Sequence, residues 1–363
     1  MQNVIIYGAT GYTGRLTVAE LVKQGVKPVL AGRNAQKLQA LAELYDGLEW
    51  QQIAEGDVRG LQALLSEKDV LLSLVGPFAR YGDVALQAAV AAKSHYIDST
   101  GEPAFIRKVF QRFNGPAKNN QTTFLTAFGY DYVPGNLAAG LALERAEGQG
   151  KKVAVGYFVG GKGMAVSEGT RASLLGAMLD PGMVFQGGHL QESFAGKQIR
   201  EFTVQGKARL GLHIAASEGF ALPKSYPELT DVEVYLGWFA SAAKVMKYVS
   251  YVHEVALKVP GYKPLLRNLS GRVSSKGTGP STTQLQSTTS NIVAEVMGSD
   301  NKRLSRVELS GVSPYPYTAA VLAWAAIQLA SGQSKAVGAV GPVQAFGLPA
   351  LMEGNQQAGL SVV

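Results

Sequence analysis

The sequence predicts an α/β fold in which a doubly wound parallel sheet is followed by a second α+β domain built on a mixed or antiparallel sheet. Six short apolar runs alternate with helical stretches over roughly the first 130 residues, as in a doubly wound sheet. A glycine-rich turn joins the first apolar run to the first helix. After Pro134, strand-like stretches follow one another without regular helices between them, which indicates largely antiparallel pairing.

The first domain is predicted to span residues 1–133. Its strands are expected at 4–7, 29–31, 50–53, 70–75, 95–98 and 123–128. Its helices are expected at 15–23, 35–44, 58–66, 81–93 and 103–113. The fourth of these strands is almost wholly apolar, which is typical of a strand whose two faces are both covered by helices.

The second domain is predicted to span residues 134–317. Its strands are expected at 152–159, 199–204, 232–236, 291–297 and 304–309, and its helices near 168–179 and 239–257. A further helix, 318–331, is rich in alanine on all sides, and a helix without a polar face is expected to be buried. We expect this helix and the C-terminal segment to pack back on the first domain.

Composition excludes several kinds of chemistry. The chain contains no cysteine, so disulfides, thiolate metal sites and thiol nucleophiles are ruled out. Its 4 histidines are widely separated, and no metal site is predicted. The motifs of zinc proteases, α/β-hydrolases, P-loop nucleotide-binding proteins and Tyr-x-x-x-Lys dehydrogenases are missing from the sequence. No nucleic-acid-binding signature is present, and a nucleic-acid partner is not expected.

The sequence predicts a cytoplasmic protein. It enters an apolar strand directly after Met1-Gln2-Asn3, and its longest apolar run, near 318–330, is shorter than the ~20 residues of a spanning helix. An amphipathic stretch at 239–257 precedes a segment, 258–276, with five basic residues and no acidic ones. That segment is either a solvated loop or a surface for an anionic substrate or a membrane. Peripheral lipid contact and a homodimer both remain open.

The turn between the first strand and the first helix predicts a dinucleotide site. It reads Gly8-Ala9-Thr10-Gly11-Tyr12-Thr13-Gly14, and its strand–turn–helix context distinguishes it from an isolated glycine pattern. Gly8 allows a tight exit from the strand, Gly11 a close approach of the pyrophosphate, and Gly14 close helix–strand packing. The amide groups at the helix start then face the phosphates. The first domain is therefore predicted to be a Rossmann domain.

The second strand predicts NADP(H) rather than NAD(H). Rossmann domains that bind NAD carry an acidic residue about 20 residues after the glycines, where it binds the ribose 2′-hydroxyl. Residues 21–42 contain no acidic residue; instead the strand ends at Arg33-Asn34, with Lys37 one turn later. A guanidinium group there can bind a 2′-phosphate through several N–H groups. The alternative is that Arg33 stacks on the adenine or is merely exposed.

Two further segments are expected to contact the cofactor. Asp57 follows the third strand, where it can bind the adenine amino group, cap the next helix, or do both. Val75-Gly76-Pro77 ends the fourth strand at the carboxyl edge of the sheet, where ligands of this fold bind. Gly76 is expected to let the ribose and the nicotinamide approach the backbone.

Two strings that close the fifth and sixth strands, at the carboxyl ends of those strands, supply candidate proton donors. Residues 95–102 read His-Tyr-Ile-Asp-Ser-Thr-Gly-Glu, and residues 128–134 read Phe-Gly-Tyr-Asp-Tyr-Val-Pro. Structural roles as caps or turn formers are open for several of these residues. We select Tyr132 as the first candidate, because a phenol donates a proton without bringing charge into a closed cleft. Glu102 and His95 are the alternatives.

In this order, GATGYTG, AGRNAQKL, LVGPFARYG, HYIDSTGE and GYDYVP resemble the saccharopine dehydrogenase-like oxidoreductase family, whose members include trans-acting enoyl reductases and saccharopine reductases. The resemblance is closest over residues 4–136. It implies a Rossmann domain, a second domain with a mixed sheet, and reduction with NADPH. The family often reads GFDSIPSD where this chain has Tyr132 in place of Ser and Gly135-Asn136 in place of Ser-Asp.

These observations predict an NADPH-dependent reductase that acts on a C=N or C=C bond of a small-molecule or lipid-like substrate. NADPH would supply the hydride, and the protein would position both reactants and supply a proton. The alternative is a non-catalytic NADP(H)-binding sensor or scaffold protein, possibly located at a lipid surface. A sensor needs no proton donor near the nicotinamide and should not turn over any acceptor.

Overall fold

The computed structural model describes residues 2–161, 181–238 and 279–363, together with single residues between 248 and 262. Within these ranges the chain divides into two compact units. The first contains residues 1–100, 105–133 and 314–359, and the second contains residues 101–104, 134–313 and 360–363. The predicted helix 168–179 lies outside the described residues, as do most of the helix 239–257 and of the basic segment 258–276.

The first unit contains a seven-stranded parallel sheet. Its strands are β1 (Val4–Tyr7), β2 (Val29–Gly32), β3 (Trp50–Gln52), β4 (Val70–Ser73), β5 (His95–Asp98), β6 (Thr123–Leu125) and β15 (Gly338–Ala339). They lie in the order β15-β6-β5-β4-β1-β2-β3, which reverses direction between β1 and β4. The six predicted strands thus have the strand order of a Rossmann domain, and the predicted fold class is confirmed.

Helices connect these strands. They are α1 (Tyr12–Lys23), α2 (Ala35–Glu43), α3 (Val58–Gln62), α4 (Phe78–Ala92), α5 (Pro103–Lys108) and α6 (Asn114–Asn119). Two helices begin one turn earlier than predicted, at Tyr12 and Phe78, because Gly11 and Pro77 act as their N-caps. The predicted helix 103–113 is interrupted, since a π-helical turn at Val109–Phe113 separates α5 from α6.

The C-terminal part of the first unit forms three more helices. These are α10 (Pro314–Ala330), α11 (Pro342–Phe346) and α12 (Leu348–Gln357). The apolar helix α10 packs against α1 and is buried along most of its length, as its uniform composition predicts. Tyr317 on α10 donates a hydrogen bond to Asn355 on α12 over 2.7 Å. The ring of Trp324 packs on Phe346 with 4.8 Å between centroids.

The second unit contains a nine-stranded mixed sheet. The strands are β7 (Lys152–Gly160), β8 (Gly182–Gln186), β9 (His189–Ser193), β10 (Ile199–Val204), β11 (Lys207–Ile214), β12 (Asp231–Leu236), β13 (Thr289–Met297), β14 (Arg303–Gly311) and β16 (Leu360–Val362). The main path is β10-β11-β12-β7-β13-β14-β16, and only β12 and β7 pair in parallel. Helices α7 (Val133–Arg145), α8 (Glu218–Ser225) and α9 (Thr282–Ser287) complete the described part of this unit.

The ends of this sheet approach each other. Arg200 on β10 donates to Glu295 on β13 over 2.9 Å, and the Gln205 N–H donates to Glu308 on β14 over 3.0 Å. Since β10 and β14 lie near opposite ends of the strand order, these contacts require a strongly curled sheet. The concave face encloses a cluster formed by Ala154, Phe158, Phe202, Val204, Tyr235, Val293 and Met297.

We expect Glu295→Gln to lower the free energy of unfolding by about 3 kcal/mol, the scale on which buried ion pairs break. Glu295 is only 5% exposed and accepts hydrogen bonds from Arg200 and Arg303, both over 2.9 Å. Urea denaturation would measure the loss. The exposed Glu201→Gln on β10 is the matched control and should change stability by less than ~0.5 kcal/mol. Equal losses in the two variants would contradict the importance of these pairs.

Candidate functional site

The glycine-rich turn of the first unit fits a phosphate group. Gly8 has φ +94°, and its N–H donates to the Ala31 carbonyl over 2.9 Å. A Cβ at Gly14 would lie 2.3 Å from the Gly8 carbonyl oxygen, so only glycine permits this packing of α1 on β1. Gly11 caps α1 without any side-chain hydrogen bond. The start of α1 is therefore left open to an anion, which its backbone amide groups and dipole favour.

The turn after β4 lies against the glycine-rich turn. A Cβ at Gly8 would lie 2.9 Å from both the Leu74 carbonyl carbon and the Val75 Cγ2 atom. The Leu74 N–H donates to the Tyr7 carbonyl over 2.8 Å. The structure thus brings Leu74 and Val75 against the glycine-rich turn. The contact of Val75, Gly76 and Pro77 with a cofactor stays a prediction.

Arg33 lies directly after β2 and is 77% exposed on its side chain. Its Nη1 atom lies 3.6 Å from Glu55, and Arg80 Nη2 lies 3.8 Å from the same carboxyl group. Exposed pairs at such distances contribute little free energy, so both guanidinium groups can be redirected to a phosphate. The sequence interpretation missed Glu55 and Arg80, because neither lies near Arg33 along the chain. Two guanidinium groups, those of Arg33 and Arg80, therefore lie near the predicted position of the 2′-phosphate.

Asn34 and Asp57 both act as helix caps. The Asn34 Oδ1 atom accepts from the Lys37 N–H over 2.9 Å at the start of α2. The Asp57 Oδ1 atom accepts from the Gly60 N–H over 2.8 Å at the start of α3. For Asp57 the capping alternative is thus the one that the structure shows. Binding of the adenine by Asp57, and of the 2′-phosphate by Asn34 and Lys37, remain predictions.

The structure does not bring the three predicted proton donors together. His95 is the first residue of β5 and pairs with Val70, so it lies at the amino edge of the sheet. The sequence interpretation placed it with the carboxyl edge, where cofactors bind, and this placement was wrong. Its Nδ1 atom accepts from the Thr123 N–H over 3.0 Å, and burial lowers the pKa of the ring to about 4. His95 is therefore a neutral structural residue at pH 7.

Glu102 and Tyr132 occupy different units. Glu102 is buried and belongs to the second unit, whereas Tyr132 is buried in the first unit, after β6. The Tyr132 N–H donates to the Ala127 carbonyl over 3.0 Å. A donor role for either residue stays a prediction.

Two carboxyl groups at the carboxyl edge were not selected from the sequence. Asp98 is fully buried at the end of β5, and burial raises its pKa to about 6 against the effect of hydrogen bonds that favour the charged form. Asp131 is half-buried, and burial raises its pKa to about 7. Both shifts depend on the folded surroundings, so the sequence carried no direct signal for them. Carboxyl groups that titrate near neutral pH are candidate acids.

The departure from the family pattern at Gly135 has a structural reason. A Cβ at this position would lie 1.9 Å from the Tyr157 hydroxyl oxygen. That hydroxyl group donates to Glu218 over 2.5 Å, and the Glu218 side chain is fully buried. A serine at position 135 would collide with this hydrogen-bonded pair. The second unit thus carries a buried polar pair that the glycine accommodates.

Comparison with known proteins identifies the first unit. Residues 4–125 match the model of the saccharopine dehydrogenase NADP binding domain family. These residues form a saccharopine dehydrogenase NADP-binding domain. The resemblance inferred from the sequence motifs is confirmed over this range, and so is the prediction of NADP(H) as the cofactor class. The preference of this domain for NADPH over NADH stays a prediction.

Relatives of this chain include a Mycobacterium tuberculosis protein named as a trans-acting enoyl reductase, 33% identical over 181 residues. A Caenorhabditis elegans protein named lipid droplet localized protein is 27% identical over 187 residues. Each match covers 48% of this chain, and 43% and 44% of the two relatives. The chain thus matches less than half the length of these relatives.

Solved structures show the same fold. Apo saccharopine dehydrogenase (L-Glu forming) from Saccharomyces cerevisiae superposes with a TM-score of 0.60 at 12% identity, over 100% of both chains. Homospermidine synthase from Legionella pneumophila, in complex with NAD, gives 0.61 at 12% identity over 100% of this chain and 91% of its own. At this identity the likeness concerns the fold of the NADP-binding domain and of the second unit, and not their ligands.

Other kinds of site were sought in the part of the chain that the structure describes. No cluster of three or more histidine and carboxylate side chains there could hold a metal ion. Among the same residues, no helix combines the length and the apolar character that crossing a bilayer requires.

Proposed function

We propose that this protein is an NADPH-dependent oxidoreductase that reduces a C=C or C=N bond of a small-molecule or lipid-like substrate. The observation that carries the proposal is the glycine-rich turn at an uncapped helix start, with Arg33 and Arg80 beside the next strand. This arrangement fits a pyrophosphate and a 2′-phosphate. The match to an NADP-binding domain family supports the same cofactor.

Reduction of a C=C bond is the favoured form of the reaction. Several relatives that are 30–33% identical are named as trans-acting enoyl reductases, a name that describes reduction of an alkene conjugated to a carbonyl group. Reduction of a C=N bond is the second form, in keeping with the family to which the NADP-binding domain belongs.

Different groups of residues in this chain would bind the parts of the cofactor and supply the proton. Gly8, Gly11 and Gly14 would let the backbone reach the pyrophosphate, and Thr10, Tyr12 and Thr13 would complete that turn. Arg33, Lys37 and Arg80 would hold the 2′-phosphate, while Val75, Gly76 and Pro77 would border the remainder of the cofactor. When bound, NADPH supplies a hydride. The protein must then supply a proton, for which Tyr132 and Glu102 are the candidates selected from the sequence.

NADPH consumption with two acceptors tests the proposal. The probes are a trans-2-butenoyl thioester for C=C reduction and 1-pyrroline for C=N reduction. We expect NADPH oxidation with the thioester, saturating with NADPH and lost in the Gly11→Val variant. A protein that binds NADPH but oxidises it with neither probe at any pH from 5 to 9 would count against the proposed reductase.

A non-catalytic NADP(H)-binding protein at a lipid surface is the second candidate. It is favoured by the relative from Caenorhabditis elegans, which is named for its location on lipid droplets. Flotation with vesicles of phosphatidylcholine and phosphatidylserine would distinguish the two, since this candidate predicts vesicle binding without NADPH oxidation. A cytoplasmic location and a homodimer stay expectations that cell fractionation and light scattering would test.

A further inference from the structure

The turn that follows β6 is held firmly at the carboxyl edge of the sheet. The Asp98 Oδ1 atom accepts from the Ala127 N–H over 3.0 Å, and the Asp98 carbonyl accepts from the Phe128 N–H over 2.7 Å. Ala127 has φ +56°, a left-handed conformation that costs a residue with a side chain ~1 kcal/mol. These hydrogen bonds to Asp98 offset that cost and fix where the turn begins.

The rest of the turn is fixed in the same way. The Tyr130 N–H donates to the Thr318 hydroxyl on α10 over 3.0 Å, and the Tyr132 N–H returns to the Ala127 carbonyl over 3.0 Å. Asp98 also accepts from the Thr100 N–H over 2.9 Å, so one buried carboxyl group ties the ends of β5 and β6 together. Such a turn presents its side chains in a defined position at the edge where Rossmann domains bind their ligands.

Asp131 lies within this turn. Its Oδ1 atom is enclosed and has no hydrogen-bond partner among the described residues, while the residue as a whole is half-buried. Burial raises the pKa of its carboxyl group to about 7, and no charged neighbour among the described residues contributes. A carboxyl group that is enclosed without a cation stays protonated at a higher pH, because burial penalises the charged form. Such an acid can donate a proton near neutral pH.

We propose that Asp131 is the proton donor of the reduction and that Asp98 positions it. The proposal rests on the reductase function proposed above. The hydride of NADPH adds to one atom of the C=C or C=N bond, and the Asp131 O–H proton adds to the other. NADP⁺ and the reduced bond are formed, and the Asp131 carboxylate recovers its proton from solvent.

Asp98 is a positioning residue because its Oδ1 atom is already engaged by the backbone of the turn. It is fully buried, and its Oδ1 atom accepts two backbone N–H groups. The second oxygen of Asp98 lies in a buried polar region that also contains the hydroxyl groups of Ser73, Tyr96 and Thr126. The hydroxyl groups of Tyr96 and Thr126 favour the charged form of the Asp98 carboxyl group. The enclosed Oδ1 atom of Asp131 has no hydrogen-bond partner among the described residues, so this atom does not hold the turn in place.

The assignment predicts a pH dependence with a definite sign. A donor must be protonated, so kcat/KM for the trans-2-butenoyl thioester should fall as the pH rises through about 7, the raised pKa of Asp131. The same raised pKa stabilises the folded protein below the ordinary pKa of an aspartic acid, and this stabilisation is lost as the pH rises through about 7. Asp131→Asn removes both effects.

The experiment compares the unmodified protein with Asp131→Asn, Tyr132→Phe and the exposed turn variant Asp46→Asn. We expect Asp131→Asn to lower turnover of the trans-2-butenoyl thioester by ~10²-fold or more, the usual scale for loss of an acid. NADPH affinity should stay within twofold. Asp46→Asn should retain turnover within a few-fold. Asp131→Glu, which keeps a carboxyl group, should recover part of the activity.

Melting temperatures at pH 5 and pH 8 provide a reading that needs no substrate. The melting temperature of Asp131→Asn relative to the unmodified protein should rise from pH 5 to pH 8, and that of Asp46→Asn should not. Overturning results are full turnover of Asp131→Asn, a ~10²-fold loss confined to Tyr132→Phe, or no change of the melting difference with pH. If the unmodified protein oxidises no NADPH while the melting difference behaves as expected, the reductase function fails, and the role of Asp131 as donor fails with it.

Discussion

Gly11→Val should weaken binding of NADPH and NADH by at least ~100-fold while changing the stability of the cofactor-free protein only slightly. The cap position of α1 has no side-chain hydrogen bond, and among the described residues an added Cβ would be close only to the Gly8 carbonyl oxygen, at 3.3 Å. A valine side chain would therefore fill the space that we assign to the pyrophosphate. Hydrogen bonds to charged groups are worth roughly 1.5–3 kcal/mol each, so losing two accounts for the expected change.

Gly14→Ala provides the matched contrast. Here an added Cβ would lie 2.3 Å from the Gly8 carbonyl oxygen, a backbone atom that cannot move without opening the turn. This variant should lose cofactor affinity and also thermal stability, whereas Gly11→Val should lose affinity alone. Gly115→Val, a position where an added Cβ meets nothing within 4 Å, is the control. Isothermal titration and thermal melting would separate the cases, and a melting-temperature gain of Gly11→Val with NADPH would show that the phosphates bind elsewhere.

Arg33→Ala combined with Arg80→Ala should remove the preference for NADPH over NADH, which we expect to be at least tenfold, or about 1.4 kcal/mol. Both guanidinium groups face the Glu55 carboxyl group at 3.6 and 3.8 Å and can turn to a 2′-phosphate. Arg33→Ala alone should remove most of the difference and leave some to Arg80. NADH affinity should change little, because NADH lacks the phosphate group.

Glu55→Gln tests the same site in the opposite direction. Removing this carboxyl group releases both arginine side chains and removes a negative charge that repels the phosphate. NADPH affinity should therefore rise several-fold while NADH affinity stays constant. Equal affinity of the unmodified protein for NADPH and NADH would contradict the assignment of this site.

The sequence predicted the Rossmann sheet well because its strands are short and apolar and its turns are marked by glycine. The second unit was predicted less completely. The hairpin of β8 and β9 turns at Gly187-Gly188, and that of β10 and β11 turns at Gln205-Gly206, all with positive φ. Both turns have the glycine pattern of a hairpin, but β9 and β11 contain many polar residues and were not predicted as strands.

Within the candidate site, contacts local in sequence were predictable and tertiary ones were not. The turn at residues 8–14 and the arginine after β2 follow from spacing. The approach of Arg80 to Glu55 depends on how α4 lies relative to the loop after β3. The raised pKa of Asp131 depends on the atoms that enclose it. The position of His95 was misjudged because the first residue of its motif was assigned to the wrong end of a four-residue strand.

The chain returns to the first unit at residues 314–359, which are synthesised after most of the second unit. The edge strand β15 pairs with β6, the Thr123 hydroxyl donates to the Ala336 carbonyl over 2.7 Å, and the Gln2 N–H donates to the Ala330 carbonyl over 3.0 Å. A nascent chain that stops before α10 leaves the apolar face of α1 uncovered. The first unit therefore completes its core only after the ribosome has made the intervening second unit.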